Sequence, residues 1–397
     1  MQLNEAYIVS SVRTPVGKAK KGALRDVRPE HLAATAVTGA ISRVPGLTGE
    51  HIDDLVLGCA FPEGPQGMNV ARIIAQKAGL PVTVSGVTVN RFCSSGLQTI
   101  AQATNSVVLG QSECIVAGGV ESMSAVPMGG FFFAPDPDLA TEDPDTYAAM
   151  GITAENVAAQ YKVSREEQDA FAVQSHQRAA AAVASGRFDD ELVPVTVTET
   201  RYDAKTRQAV ERTFEHTADE GPRADTTMEA LGRLKPVFKV GGTVTAGNAS
   251  QMNDGAAASV VMSKRMMEEL GATPIARMLG FAVAGVPAGI MGIGPIDAIP
   301  KVLKQVGLSL KDIDLVELNE AFASQSVAIV RELGFDPAIV NVNGGAIAMG
   351  HPLGCTGAKL TATLLHEMKR RGSRYGIVSM CIGGGMGAAG VFENLAV

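Results

Sequence analysis

The 397-residue sequence has few cysteines and no excess of basic residues, and these shortages exclude several classes of protein. Its five cysteines are an odd number without CxxC spacing, which argues against a disulfide framework or a structural zinc site and indicates a reducing compartment. The net charge is −7 and no basic cluster stands out, so neither nucleic acid nor an anionic membrane surface is expected as the main partner.

Targeting segments and long apolar runs are also missing. The chain starts in a strand pattern without the features of a signal or transit peptide, and its end, ENLAV, carries no peroxisomal tripeptide. The most suspicious uncharged run, residues 278–296, contains two prolines and five glycines, which favours a buried strand with loops over a membrane span. We therefore expect a cytoplasmic protein that does not enter a membrane.

Glycine is abundant, and internal similarity indicates how the chain is organised. The 44 glycines and the low aromatic content of 5% are typical of an α/β protein with many tight strand-helix turns. Three short matches recur in the same order and predict duplicated halves: 54–56 with 314–316, 87–90 with 340–343, and 115–118 with 377–380. The predicted division is a first half at 1–121 with 251–271, an inserted loop domain at 122–250, and a second half at 272–397.

The stretch GVTVNRFCSSG, residues 86–96, is the first candidate for chemistry. It predicts a short buried strand that turns into a helix, and apolar residues at helical spacing continue that helix as far as Gly110. Cys93 lies at the turn, where free N–H groups and the helix dipole favour a thiolate. The alternative, a buried structural cysteine, stays open unless the chain supplies a base.

Two further candidates lie in the second half. His351 is in a glycine-flanked loop expected to follow a strand, and Cys381 ends a predicted strand before the run GGGMG, whose N–H groups could bind an oxyanion. An exposed loop histidine and a packed strand end are the simpler interpretations. Cys59, Cys114 and Cys355 are interpreted as structural, and because the remaining histidines lack ligand spacing, no metal site is predicted.

Taken together, these motifs resemble the thiolase family, which makes or cleaves 3-oxoacyl-CoA. The resemblance covers nearly the whole chain in order and rests on VRTPVGK, VNRFCSSGLQ, GGVESMS, TAENVA, SREEQDAFA, GTVTAGNASQMNDGAAA, LVELNEAFA, GGAIAMGHPLG and CIGGGMG. It implies the thiolase fold, a five-layered αβαβα arrangement of two duplicated halves packed through central helices, with an inserted loop domain.

The resemblance also implies roles for the candidate residues. Cys93 would be the acylated nucleophile, His351 the base that activates it, and Cys381 the acid/base at the Cα of the acetyl unit. One oxyanion hole would be formed by the N–H groups of Cys93 and Gly383, and the other by His351 with a water held by Asn319. Breaking a carbon-carbon bond beside a thioester requires such stabilisation and proton transfer.

Coenzyme A and acyl-CoA are then expected as substrates, with no permanently bound cofactor. The family places coenzyme A against the inserted domain, with Ser250 near the pantetheine and Arg223 near the adenine end. Biosynthetic members carry a His-Met pair before TAENVA, where this chain has Ala149-Met150. The missing imidazole leaves room for a longer acyl chain, which predicts a degradative 3-ketoacyl-CoA thiolase of β-oxidation.

Two alternatives remain: a biosynthetic acetoacetyl-CoA thiolase, and a non-catalytic acyl-CoA or lipid carrier on the same fold. The intact set of Cys93, Asn319, His351 and Cys381 argues against a carrier, which would not need all four. A homodimer or tetramer is expected, because the run Phe131-Phe132-Phe133 would have to meet a second subunit or an apolar substrate. Whether a hydratase/dehydrogenase also binds is left open.

Overall fold

The computed structural model describes residues 3–202 and 205–396. The strands are β1 (Ala6–Arg13), β2 (Gly17–Lys18), β3 (Asp54–Gly58), β4 (Ser85–Val89), β5 (Cys114–Ser122), β6 (Val195–Tyr202), β7 (Ala209–His216), β8 (Asn253–Ser263), β9 (Ala276–Gly285), β10 (Leu315–Leu318), β11 (Tyr375–Ile382) and β12 (Met386–Asn394). The helices are α1 (Pro29–Ser42), α2 (Val70–Lys77), α3 (Ser95–Val108), α4 (Pro137–Glu142), α5 (Met150–Gln160), α6 (Arg165–Ala184), α7 (Met228–Gly232), α8 (Lys264–Leu270), α9 (Gly294–Val306), α10 (Ala323–Leu333), α11 (Ala346–Met349) and α12 (Leu353–Arg371).

The strands and helices form the five predicted layers. Strands of the first half run in the order β4-β3-β5-β8-β1, those of the second half in the order β9-β12-β11-β10, and Ile8 pairs with Ala276 where the two sets meet. Apolar side chains of α1 and α2 pack on one side of the first set, and those of α9 and α10 pack on the second set. Helices α3 and α12 share an apolar core with both sets of strands.

The two central helices approach each other closely through glycine. A Cβ on Gly96 would lie 2.6 Å from the backbone nitrogen of Ala358, and a Cβ on Gly357 would lie 2.3 Å from that of Leu97. Contacts this short exclude any larger residue, so the glycines allow the backbones to touch. The predicted end of α3 is confirmed, since this helix stops before Gly110, and α12 likewise stops before a glycine, Gly372.

The predicted duplication is visible in repeated hydrogen bonds, but its register differs by one residue. Asp53 accepts hydrogen bonds from the backbone nitrogens of residues 113 and 114, and Asp314 accepts them from those of residues 374 and 375. Asp314 therefore corresponds to Asp53, whereas the sequence match had paired it with Asp54. Two adjacent aspartates allow either alignment, and only the strand pairing distinguishes them.

Strand β4 corrects a second expectation. It was predicted to be buried because it is short and β-branched, yet it lies at the edge of the sheet beside β3, and Val87 is exposed. A short apolar strand before a helix is typical of both edge and central positions, so the pattern does not decide between them.

Between β5 and β8 the chain forms helices α4 to α7 and the hairpin β6-β7. The helix predicted to start at Ser164 is confirmed, with Ser164 and Glu167 forming a capping box. The division into two halves and an insertion stays a prediction, and its residues 1–2, 203–204 and 397 lie outside the described residues. Within the described ranges, no helix is long and apolar enough to cross a membrane.

Candidate active site

Cys93 lies in a tight turn, Phe92–Ser94, between β4 and α3. Phe92 has a φ of 41°, an uncommon left-handed conformation for an aromatic residue, and its N–H donates to Asn90 Oδ1 at 2.9 Å. Ser95 fixes the turn from the helix side, because its Oγ accepts from Arg91 N at 2.8 Å and donates to Phe92 O at 2.7 Å. The turn thus holds the half-buried Cys93 at the start of α3.

The surroundings of the Cys93 sulfur favour the thiol. Burial raises its pKa to about 12, although the N–H groups of Gly383 and of Cys93 itself face the sulfur and act in the opposite direction. The negative charge of Glu121 adds to the increase. The N–H groups of the turn act in the expected direction, but desolvation outweighs them, so the sulfur needs a base when it reacts.

His351 is buried directly before α12, and its hydrogen bonds assign its tautomer. Thr356 Oγ1 donates to Pro352 O at 2.8 Å, so it accepts from His351 Nδ1–H at 2.5 Å. The other ring nitrogen, Nε2, is then unprotonated and accepts from Asn319 Nδ2 at 3.3 Å. Burial, with a contribution from the charge of Lys359, lowers the His351 pKa to about 3, so the ring is neutral at physiological pH.

The position of His351 differs from the sequence prediction in one respect. The loop was expected to follow a strand, whereas His351 follows the single-turn helix α11 and Gly350. The Oδ1 of Asn253 accepts from His351 N at 3.0 Å, and a side chain at Gly350 would collide with Asn253. Asn253 thereby fixes the backbone that carries the imidazole.

Cys381 and Gly383 lie at the end of β11, as predicted. Cys381 is buried, and burial raises its pKa, as does the nearby charge of Cys93 when that thiol ionises. The two sulfurs are therefore close enough that ionisation of one opposes ionisation of the other. A Cβ on Gly383 would lie 3.6 Å from Met150 Sδ and 3.8 Å from the Phe92 ring, so these side chains form a wall beside the two sulfurs.

Asn319 directly follows β10 and lies next to His351. Its Nδ2 contacts the imidazole, while its Oδ1 is buried and has no hydrogen-bond partner among the described residues. A buried amide oxygen in this state can accept a hydrogen bond from a water or a substrate. The arrangement fits the predicted role of Asn319 in an oxyanion hole.

The two residues predicted to contact coenzyme A have different surroundings. Ser250 is half-buried, and its N–H donates to Ala321 O at 2.9 Å, which places it against the segment that follows Asn319. Arg223 is exposed, and its backbone N–H donates to His176 Nδ1 at 3.3 Å. The structure therefore brings Ser250 to the segment that carries Asn319 and leaves Arg223 at the surface beside His176.

Two buried glutamates hold the loops of the site, and the sequence analysis did not select them. Glu121 accepts hydrogen bonds from the backbone nitrogens of residues 60, 61 and 354 and from Gln66 Nε2. Glu320 accepts from Ser175 Oγ, Asn341 Nδ2 and the backbone nitrogen of residue 347. Burial raises the pKa of both carboxyl groups. In the sequence, both could have been noticed as charged residues inside otherwise uncharged motifs, Glu121 in GGVES and Glu320 in NEAFA.

The fold and the site define a class of enzyme: two sulfurs, a neutral imidazole and an asparagine meet where the strands of two similar halves end, an arrangement suited to acyl transfer. Residues 6–265 match the family "Thiolase, N-terminal domain", and residues 272–394 match "Thiolase, C-terminal domain". The chain belongs to the thiolase family.

Individual relatives cover the full length. The 3-ketoacyl-CoA thiolase of Bacillus subtilis (strain 168) is 57% identical over 391 residues, covering 98% of this chain and 100% of that protein. The crystal structure of Bacillus anthracis acetyl-CoA acetyltransferase is 44% identical with a TM-score of 0.90, covering 99% of this chain and 100% of the other. Human mitochondrial 3-ketoacyl-CoA thiolase in complex with CoA is 40% identical with a TM-score of 0.87, covering 99% and 98%.

Proposed function

We propose that this thiolase cleaves 3-oxoacyl-CoA with coenzyme A, yielding acetyl-CoA and an acyl-CoA shortened by two carbons, as β-oxidation requires. The observation that carries the proposal is the grouping of two thiols around Gly383: its N–H faces the Cys93 sulfur, and Cys381 is close enough to sense the charge of Cys93. The relative named 3-ketoacyl-CoA thiolase, at 57% identity, supports this direction of the reaction.

In the first half-reaction, the unprotonated Nε2 of His351 takes the proton of the Cys93 thiol. The sulfur attacks C3 of the substrate, and the N–H groups of Cys93 and Gly383 stabilise the resulting oxyanion. The C2–C3 bond then breaks, leaving an acyl thioester on Cys93 and the enolate of acetyl-CoA. Cys381 gives its proton to the enolate carbon, while His351 and a water held by Asn319 Oδ1 stabilise the enolate oxygen.

In the second half-reaction, coenzyme A enters as a thiol. Cys381, now a thiolate, takes the proton of that thiol, and the coenzyme A sulfur attacks the acyl-Cys93 carbonyl in the same oxyanion hole. The bond between the acyl group and Cys93 breaks, and Cys93 recovers its proton from His351. Both sulfurs and the imidazole return to their initial protonation states, so the cycle is closed and reversible.

We infer that coenzyme A lies against Ser250, with Arg223 near its adenine end. Support comes from the position of Ser250 beside Ala321, two residues after Asn319, and from the exposed cationic side chain of Arg223. The human relative was solved with CoA bound. In this proposal coenzyme A and acyl-CoA are substrates, and the protein carries no resident cofactor.

The proposed substrates include medium and longer acyl chains. Ala149 is exposed at the start of α5, next to Met150, which lies beside Gly383. A methyl group at this position occupies less space than the imidazole found in biosynthetic thiolases. Cytoplasmic location, assembly into a homodimer or tetramer, and association with a hydratase/dehydrogenase remain further parts of the proposal.

The test separates the two thiols. Wild-type protein incubated with an acyl-CoA should gain the acyl mass on the peptide that contains Cys93, and Cys93→Ser should lose this mass and all turnover. Cys381→Ala should still form acyl-Cys93, because coenzyme A can leave and attack as a thiolate without a proton partner. The variant should lose at least about a thousandfold in carbon-carbon cleavage, because the enolate carbon needs the proton that Cys381 supplies.

Two outcomes would contradict the proposal. If acyl exchange and carbon-carbon cleavage were lost together in Cys381→Ala, the division of roles between the thiols would be wrong. If acyl-CoA bound without acylating Cys93, the carrier alternative would be favoured.

A further inference from the structure

Gln325 is buried on α10, directly behind the site, and its side chain bridges Cys381 and Asn319. One terminal atom of its amide lies 3.3 Å from Cys381 Sγ and 3.2 Å from the carbonyl oxygen of Asn319. The other terminal atom lies 2.9 Å from Ser326 Oγ and 2.7 Å from Ser326 N. Both terminal atoms of the amide thus lie within hydrogen-bond distance of groups whose donor or acceptor character is known.

These partners decide which atom is nitrogen. The Asn319 carbonyl can only accept a hydrogen bond, and the Ser326 N–H can only donate one. The atom near Asn319 is therefore Nε2, and the atom near Ser326 is Oε1. Nε2 carries two N–H groups: one is used by Asn319 O, and the second remains for the atom 3.3 Å away, the sulfur of Cys381.

We infer that Gln325 is a positioning residue that donates a hydrogen bond to Cys381 and so holds this sulfur ready to accept the proton of the acetyl Cα or of coenzyme A. The inference rests on the acid/base role proposed for Cys381. Because the same amide also binds the main chain of Asn319, Gln325 connects the two parts of the site that handle the enolate: the sulfur that moves the proton and the asparagine that helps to bind the oxygen.

The chemistry favours a donor at this place. Burial and the charge of Cys93 both oppose ionisation of Cys381. A hydrogen bond donated to a thiolate stabilises the charged form more than the neutral form. The opposite orientation, with the Cys381 thiol donating to Oε1, would stabilise the thiol and would place Oε1 against the Asn319 carbonyl.

Gln325→Met distinguishes the two orientations, because methionine has a similar shape and neither donates nor accepts strongly. We expect alkylation of Cys381 by iodoacetamide, followed by peptide mass spectrometry from pH 6 to pH 10, to be about tenfold slower at neutral pH and to shift to higher pH. Exchange of the acetyl-CoA methyl hydrogens with D2O, in which Cys381 removes and returns the proton, should slow by a similar factor. Acylation of Cys93 should persist.

Gln168→Met is the matched control, since Gln168 is another buried glutamine, and its Nε2 donates to Thr243 and Val163 rather than to the site. It should leave the pH profile of Cys381 alkylation unchanged, even where it lowers stability. Unchanged or faster alkylation of Cys381 in Gln325→Met would overturn the inference. Slower alkylation with normal methyl exchange would leave the hydrogen bond supported and would instead overturn the proposed acid/base role of Cys381.

Discussion

Burial sets the charge state of the titratable side chains in and near the site. His351 is held neutral by desolvation, so the lone pair on Nε2 accepts the hydrogen bond of Asn319 at rest and, in the proposed mechanism, takes the proton of Cys93 in its place. Cys93 is held as a thiol for the same reason. In the proposed mechanism, the enzyme thus keeps Cys93 and His351 uncharged at rest and creates charge only when the substrate has entered, where N–H groups are already aimed at it.

Desolvation also lowers the pKa of His176, and its effect there can be measured as a change in the free energy of unfolding. Burial, reinforced by the charge of Arg223, lowers the His176 pKa from 6.5 to about 4. Between these values the unfolded chain binds the proton and the folded chain does not, so folding stability is lost as the pH falls through this range. His176→Gln removes this loss and keeps an acceptor for the backbone N–H of residue 223.

We expect the difference in unfolding free energy between wild type and His176→Gln to move in favour of the variant by up to about 2 kcal/mol from pH 8 to pH 5. Denaturant unfolding at both pH values and equal protein concentration measures this difference. A difference that stays constant with pH would show that His176 does not titrate as described.

At the residue scale, the sequence predicted which side chains belong to the site better than it predicted their charge. Cys93 and His351 lie in turns, Cys381 lies at the end of a strand before a glycine run, and all three belong to recognisable motifs, so their selection was possible. Their burial depends on the packing of α5, α10 and α12 over the loops, which no local pattern encodes. For the same reason no sequence pattern indicates a role for Gln325, which is an ordinary helical residue until the fold places it behind Cys381.

At the scale of the elements, the central helices α3 and α12 pack closely, and Gly96 is one of the two glycines at which they meet. Gly96→Ala would place a methyl group 2.6 Å from the backbone of Ala358, and backbone cannot move aside as a flexible side chain can. We expect the unfolding free energy to fall by about 1–3 kcal/mol, with a lower thermal midpoint and loss of acylation at the nearby Cys93.

The matched control for this change is Gly232→Ala at the end of α7, where an added Cβ meets no atom within 4 Å. This variant should be neutral or slightly more stable, by less than about 1 kcal/mol. Equal thermal midpoints for the two variants would contradict the close approach of the central helices.

The start of α5 determines acyl-chain selection in our proposal. With Ala149 at this position, kcat/KM for C8 to C10 3-oxoacyl-CoA should be comparable to or higher than that for acetoacetyl-CoA, since each buried methylene contributes about 0.8 kcal/mol. Ala149→His should reduce the ratio of long-chain to C4 activity by about tenfold or more by narrowing the space beside Met150. Thiolysis assays over the chain-length series measure both.

A wild-type preference for C4 of more than about tenfold, or 1.4 kcal/mol, would contradict the degradative assignment and favour the acetoacetyl-CoA alternative. The Ala149→His variant also controls for general effects. If it lowers kcat/KM equally for all chain lengths, residue 149 affects folding or turnover in general and does not select the acyl chain.

For the whole molecule, the sequence predicted the duplication more readily than the edges of the sheet. The repeat could be read because corresponding strands of each half keep similar apolar residues, and the tripeptide 54–56 recurs at 314–316. Its register could not, because adjacent Asp53 and Asp54 are interchangeable in a sequence comparison. That β4 is an edge strand follows from the pairing of β3 between β4 and β5, which is a property of the fold.

The exposed edge at β4 is the basis of the last prediction. Val87 on this strand is 43% exposed, and the neighbouring Met68 and Val82 are more than 80% exposed. An uncovered apolar edge invites pairing with another strand, and a second copy related by a two-fold axis could pair β4 with β4 in antiparallel orientation.

Light scattering at micromolar concentration should therefore show a dimer or a larger assembly, and a monomer would contradict this expectation. Val87→Lys should weaken the assembly at least tenfold, because a charged side chain on the edge opposes pairing. Val210→Lys on the hairpin strand β7, at a valine that is 53% exposed, should not weaken it. Weakening by Val210→Lys alone would move the interface from β4 to the hairpin.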